Sequence, residues 1–170
     1  MLKTKNEILV VDPRFSVLGD EHVLGERPSI VEEHHQQVEA IALAGSVPLD
    51  VRVAFDRARN VFVYAWYCYE LLVVCELQAF AALELALRTR LHRSHSNKEM
   101  GLHLLFSRAV REELLPGLDK HRFGELIEVR NKLAHGHLEI HTPRMALELL
   151  SRCATIIDQL FATGDVDCAG

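Results

Sequence analysis

The stretch VFVYAWYCYELLVVCELQAFAALELALRTRL, residues 61–91, decides the fold. It holds neither glycine nor proline, and strong helix formers dominate its second half. Apolar residues run almost all the way round a helix drawn through it, with Val61, Phe62, Val63, Tyr64, Ala65, Trp66 and Tyr67 in sequence. A helix of that kind must be buried on several sides, so it is the central element of a packed bundle or a seam between two copies. Glu70, Glu76 and Gln78 interrupt the run and argue against a membrane span. Working outward, Leu49 to Lys98 is free of glycine and proline throughout. As one helix those residues would span about 75 Å, whereas a domain of this length is about 40 Å across. The helix is therefore expected to bend, near Arg59-Asn60, or to project and pack against a partner.

The flanking segments are read from their punctuation. Pro13, Gly19, Gly25 and Pro28 crowd the first 28 residues around Ile8-Leu9-Val10-Val11, a β-branched run suited to an extended arm or one short strand. Ser29-Ile30-Val31-Glu32 fits a capping box and predicts a helix to about Ala44, with Gly45 stopping it and Pro48 opening the next. Ser96 or Asn97 can cap a helix carrying Leu102, Leu104, Leu105, Ala109 and Val110, ended by Pro116-Gly117. Another helix is predicted from Lys120 through Leu133, closing at Gly136. Thr142-Pro143 then places a cap before proline at the first helical position. Met145, Leu149, Cys153, Ile156, Ile157 and Leu160 make the apolar stripe of the last helix. The expectation is an all-α bundle of about five helices over 29–163, preceded by an arm over 1–28 and followed by a loose tail over 164–170.

Composition narrows the function classes. Hydrophobic residues make up 49% and charged residues 25% of the 170, which is ordinary globular usage. With 19 Lys+Arg against 24 Asp+Glu the net charge is −5. That excludes a broadly basic nucleic-acid coat protein but leaves room for one local basic patch. The cysteines Cys68, Cys75, Cys153 and Cys168 form no CxxC pair. They read as reduced thiols, Cys68 and Cys75 sharing a helix face, in a chain expected to be cytoplasmic. The amino terminus offers no apolar signal core.

Chemistry concentrates in Arg130-Asn131-Lys132-Leu133-Ala134-His135-Gly136. Arginine followed by a polar residue, with histidine five positions after the arginine, matches the R-x4-6-H signature of HEPN domains. Upstream, Ala81-Ala82-Leu83-Glu84-Leu85-Ala86-Leu87-Arg88 resembles the ALE-x-ALR helix end seen in such proteins. Leu102-His103-Leu104-Leu105 through Leu114-Leu115-Pro116 is similar to their short third helix. The resemblance covers about residues 50 to 161.

This resemblance implies a HEPN-like helical bundle with metal-independent endoribonuclease activity. In such enzymes the RNA 2′-hydroxyl attacks the adjacent phosphate, leaving a 2′,3′-cyclic phosphate and a 5′-hydroxyl. Arg130, His135 and Asn131 are then the catalytic set, with Glu84, Arg88, Lys132 and His137 in support. The residue types suit the task. Histidine titrates near neutral pH and can take or give a proton. An always-charged arginine stabilises the phosphorane, and Asn131 can bond the imidazole or a phosphate oxygen. Arg130 and His135 stand about 140° apart on an ideal helix, so one motif makes no compact pair. Family members usually build the site from two facing copies, so a homodimer is expected.

Other readings stand beside this one. Ala134-His135-Gly136 is also a good helix end, and Arg130 could simply pair with Glu84 or Glu125. The alternative function is a non-catalytic scaffold that binds a protein partner or nucleotide. If catalytic, the chain suits a toxin or defence effector attacking RNA, with an antitoxin as a possible partner. His135, His137 and His141, His92 and His95, and His34 and His35 lie close in sequence, yet no cysteine pair completes a zinc site. No metal or other cofactor is expected.

Overall fold

A computed structural model describes residues 3–18, 31–91, 100–118, 120–136 and 141–162. These residues are helical, with no strand among them: α1 (Pro13–Leu18), α2 (Val31–Glu39), α3 (Leu49–Ala65), α4 (Leu71–Arg90), α5 (Leu102–Arg111), α6 (Lys120–Ala134) and α7 (Pro143–Ala162). The all-α class is as expected; the helix count is seven rather than about five. One extra helix is α1, and the other comes from a break in the long apolar segment. No helix among the described residues is long and apolar enough to cross a membrane.

α4 is the axis. It packs along α3 and α7 and also touches α5 and α6. Its buried set, which includes Leu72, Ala79, Phe80, Ala82, Leu83, Ala86 and Leu87, forms one face about 160° wide, with Leu71, Val73, Leu77 and Leu85 partly buried beside it. Small residues at 79, 82 and 86 let neighbouring helices approach closely, while Phe80, Leu83 and Leu87 fill the space between them. α3 and α4 contact each other along their lengths across a five-residue link, so they run antiparallel.

The break falls at residues 66–70, not near Arg59-Asn60 as expected. No glycine or proline marks it, because tertiary contacts make it. Asp12, just before α1, donates its backbone N–H to the Trp66 carbonyl at 2.9 Å and accepts the Tyr69 N–H on its carboxylate at 3.3 Å. The Phe62 carbonyl receives the His34 Nε2–H at 2.8 Å. Polar groups freed by ending one helix and starting the next are thus satisfied from α1 and α2. Trp66 and Tyr69 are buried against Phe15 at ring distances of 4.9 and 5.3 Å. Arg59 plays another part: its guanidinium caps α2 through the carbonyls of Val38 and Glu39, at 3.3 and 3.0 Å. That cap ends α2 at Glu39, short of Ala44.

Other expectations meet mixed outcomes. The Ile8-Leu9-Val10 run forms turns and is exposed, so the strand alternative is overturned. The arm instead docks through Asp12 and Phe15. Thr142 caps α7, its hydroxyl accepting the Met145 N–H at 3.3 Å. Along α7, Leu149, Cys153, Ile156, Ile157 and Leu160 are buried, whereas Met145 is exposed. Leu104 likewise faces out from α5. Helix α5 ends at Arg111, before Pro116-Gly117, in a left-handed turn at Glu113. The Leu114 N–H bonds the Ala109 carbonyl there at 3.0 Å. Cys68 sits in the α3–α4 link and Cys75 in α4, so they share no helix face. Cys68, Cys75 and Cys153 are free thiols, and burial pushes Cys153 up to about 12. The Ser29 capping box, the Ser96-Asn97 start, Cys168 and the tail lie outside the described residues.

The Arg14 guanidinium bonds both Asp12 oxygens at 2.8 and 2.9 Å. It holds the Asp12 carboxyl down at about 2, against 3.8 ordinarily. A lowered folded-state value contributes stability that is present above the unfolded value and lost as pH falls from about 4 through 2. The shift corresponds to about 2 kcal/mol. Asp12→Ala is expected to destabilise by about 2 kcal/mol at pH 7 in urea titrations. The variant should also show a shallower loss of stability between pH 4 and pH 2 than the wild type. Equal acid sensitivity in both would contradict the role given to Asp12.

Candidate functional site

The motif lies on the last turn of α6. Phe123, Leu126 and Leu133 form that helix's buried face, and Phe123 stacks on Phe106 of α5 with centroids 5.6 Å apart and planes 4° from parallel. This seating leaves Arg130 half-buried, while Asn131, Lys132 and His135 are exposed. Arg130 Nη1 donates to Asn131 Oδ1 at 3.2 Å. The His135 N–H closes the last turn on the Asn131 carbonyl at 3.0 Å. Gly136 follows in the left-handed region, φ +68°, where a side chain would be strained. The motif is therefore a rigid helix end, with its histidine facing solvent.

The supporting residues are distributed differently. Glu84 bonds Arg88 at 2.6 Å, and Arg88 also donates to the Met100 carbonyl at 2.8 Å, tying α4 to the start of α5. Glu125 lies 3.6 Å from Arg152 and 3.4 Å from His121. Glu84 and Glu125 are thus engaged by other cations rather than by Arg130. Lys132 pairs with Glu128 one turn back, at 3.2 Å. His137 lies outside the described residues.

A cleft of about 230 Å³ opens beside the motif, between α4, α6 and α7. Val129 and Lys132 line it from α6, and Glu148 and Arg152 from α7. At its floor are Glu76 of α4 and His141, with side chains only 1% and 8% exposed. The His141 Nδ1 stands 2.9 Å from both carboxylate oxygens. Oε1 takes the hydrogen bond, and Oε2 meets the same nitrogen as an ion-pair contact. Burial pushes the Glu76 carboxyl up, and the bond to His141 partly offsets this. A buried carboxylate that orients an imidazole leaves that ring's Nε2 available for proton transfer or ligand binding. Among the described residues no three His, Cys, Asp or Glu side chains converge as a metal site.

Sequence reasoning noticed Glu76 and His141 separately and missed the pair. The available signal was Glu76 itself, a carboxylate in an apolar run that needs a partner once buried. Nothing local pointed to a residue 65 positions away. Comparison with protein-family models, with curated proteins and with solved structures gives no match to this chain.

Removing the imidazole isolates the carboxylate. His141→Ala is expected to cost about 3 kcal/mol at neutral pH, the scale for breaking a buried ion pair from one side. With no partner, Glu76 would have a folded-state pKa raised further above its unfolded value. The stability of the variant is then fullest at acid pH and lost as pH rises through that raised value. Thermal melts at pH 5 and pH 8 should show a larger gap between variant and wild type at pH 8. A gap independent of pH would contradict the burial argument.

Proposed function

We propose that this chain is a metal-independent endoribonuclease of HEPN type, with Arg130, Asn131 and His135 as its catalytic set. The observation that carries the reading is the end of α6, which holds a hydrogen-bonded Arg130–Asn131 pair and, directly after it, an exposed His135. Arg130 would stabilise charge on the phosphorane, and His135 would move a proton to or from a ribose oxygen. In this reading the chain acts in the cytoplasm as a toxin or defence effector, with single-stranded RNA as substrate and a protein antitoxin as its restraint.

The same reading makes the chain a homodimer. Arg130 and His135 point in different directions from α6, and a facing copy brings a second pair to one phosphate. Leu49, Val53 and Tyr64, spaced along one side of α3, stay 66%, 43% and 61% exposed and could serve as the seam. Light scattering at micromolar concentration should give about twice the 19.3 kDa chain mass. A monomer mass across that range would remove the two-copy site.

Gly136 favours a second reading. Its left-handed turn gives Ala134-His135-Gly136 a purely structural use, as in a scaffold that binds a protein or nucleotide. Incubation with mixed single-stranded RNAs in EDTA separates the two. Catalysis is expected to give 2′,3′-cyclic phosphate ends and to vanish in His135→Ala with helical content intact. Arg130→Ala should slow cleavage by about 10²–10³-fold, the scale of one oxyanion-hole donor; Asn131→Ala should do less. Equal cleavage by wild type and His135→Ala would sink the catalytic reading.

A further inference from the structure

The Glu76–His141 pair is not part of the R-x4-6-H motif, yet it shares a cleft with Lys132 of that motif. We propose that this cleft is a phosphate-ester site in which His141, positioned by Glu76, serves as the general acid that complements His135 of the same protomer. The proton-transfer role rests on the ribonuclease reading; the phosphate site does not.

Two features of the cleft carry the inference. First, the imidazole is fixed: Nδ1 is held by Glu76, which leaves Nε2 as the ring's remaining polar atom. The ring lines the cleft, and Nε2 has no hydrogen-bond partner among the described residues. Second, two cations stand at the rim. Lys132 and Arg152 have half-exposed side chains, 45% and 43%, whose partners Glu128 and Glu125 lie at 3.2 and 3.6 Å. A surface pair such as Arg152 with Glu125 holds weakly, so this cation can turn to a phosphate, with Lys132 beside it at the rim.

His135 lies three residues beyond Lys132 on α6, and residues so spaced are surface neighbours. In the proposed step a phosphodiester seated against Lys132 is served by both imidazoles. The step balances without a metal. His135 removes the 2′-hydroxyl proton, and the 2′-oxygen forms a bond to phosphorus. The bond from phosphorus to the 5′-oxygen breaks, and that oxygen takes the proton from His141 Nε2. Glu76, bonded to Nδ1, orients the ring for that transfer.

The test has two arms. Inorganic phosphate is titrated into the wild-type protein while the His141 imidazole is followed by NMR. Saturable shifts are expected, and they should disappear in the Lys132→Ala/Arg152→Ala double variant, whose surface positions leave the fold intact. Absence of any shift in the wild type overturns the site, whether or not RNA is cleaved. In the second arm, His141→Gln should lower kcat by about 10²–10⁴-fold, the usual worth of one acid or base, with KM little changed. Glu76→Gln should lower kcat with KM little changed, and Glu76→Asp, which keeps a carboxylate toward Nδ1, should restore part of it. A merely structural Glu76 would show no such split between kcat and KM and no rescue by Asp. If His141→Gln fails to fold, the surface double variant still decides, since unchanged cleavage by it overturns the proposal. A wild type that binds phosphate but cleaves no RNA removes the ribonuclease reading and the proton-transfer role together, and leaves the phosphate site standing.

Discussion

The architecture depends on one carboxylate placed where a helix would otherwise continue. Residues 49–91 have the composition of an unbroken helix, and nothing in their local propensity ends it at Trp66. Asp12 supplies what a continuing helix would lose, since its N–H and carboxylate bond the Trp66 carbonyl and the Tyr69 N–H. Arg14 locks that carboxylate in its charged form, reaches Glu70 at 2.7 Å, and lies 4.4 Å from the centre of the Tyr69 ring. With the corner closed, α3 and α4 fold back on each other. Their apolar faces then meet inside the molecule rather than along a projecting rod.

Closing the corner sets the environment of the site. α4 becomes the central helix, and α7, α5 and α6 pack around it. Glu76, on the second turn of α4, is thereby forced inside and needs a partner. His141 meets it from the connection between α6 and α7. The same pair fixes where α7 starts, because Thr142 and Pro143 follow directly, and it places the mouth of the cleft beside the last turn of α6. Position at the corner thus propagates through α4 to the motif, by packing rather than by any direct contact.

Legibility in the sequence followed the range of the interactions. Helix ends made by local chemistry were readable: Thr142-Pro143 opens α7, Gly136 turns left-handed after α6, and Pro48 precedes α3. The place of the motif at the end of α6 was readable too, from a helix predicted over Lys120 to Leu133 and closed by Gly136. Hidden were the features that need a distant partner. The break at 66–70 is made by residue 12, the early end of α2 by Arg59, and the Glu76–His141 pair by residues 65 apart. Arg59 shows the difficulty well, since it looked like the site of a bend and proved to be a cap on another helix. Exposed Leu104 and Met145 were assigned to the core on type alone, and periodicity could not separate the edge of a stripe from its centre.

Stability by itself is a weak reason for a fold to keep Glu76. A buried ion pair recovers in mutual attraction about what its two partners lose in hydration, and well-packed apolar residues of similar volume often do as well or better. The buried face of α4 offers such residues on either side of Glu76, from Leu72 to Phe80. The Cys75 thiol beside it is buried and held neutral, with its proton on the Leu72 carbonyl at 3.0 Å. Glu76 differs in reaching a solvent-open cleft through an oriented imidazole. An arrangement costly to bury becomes economical once a ligand or a reacting group uses that ring. That makes the floor of this cleft, as much as the motif on α6, the place where the chemistry of the molecule is to be sought.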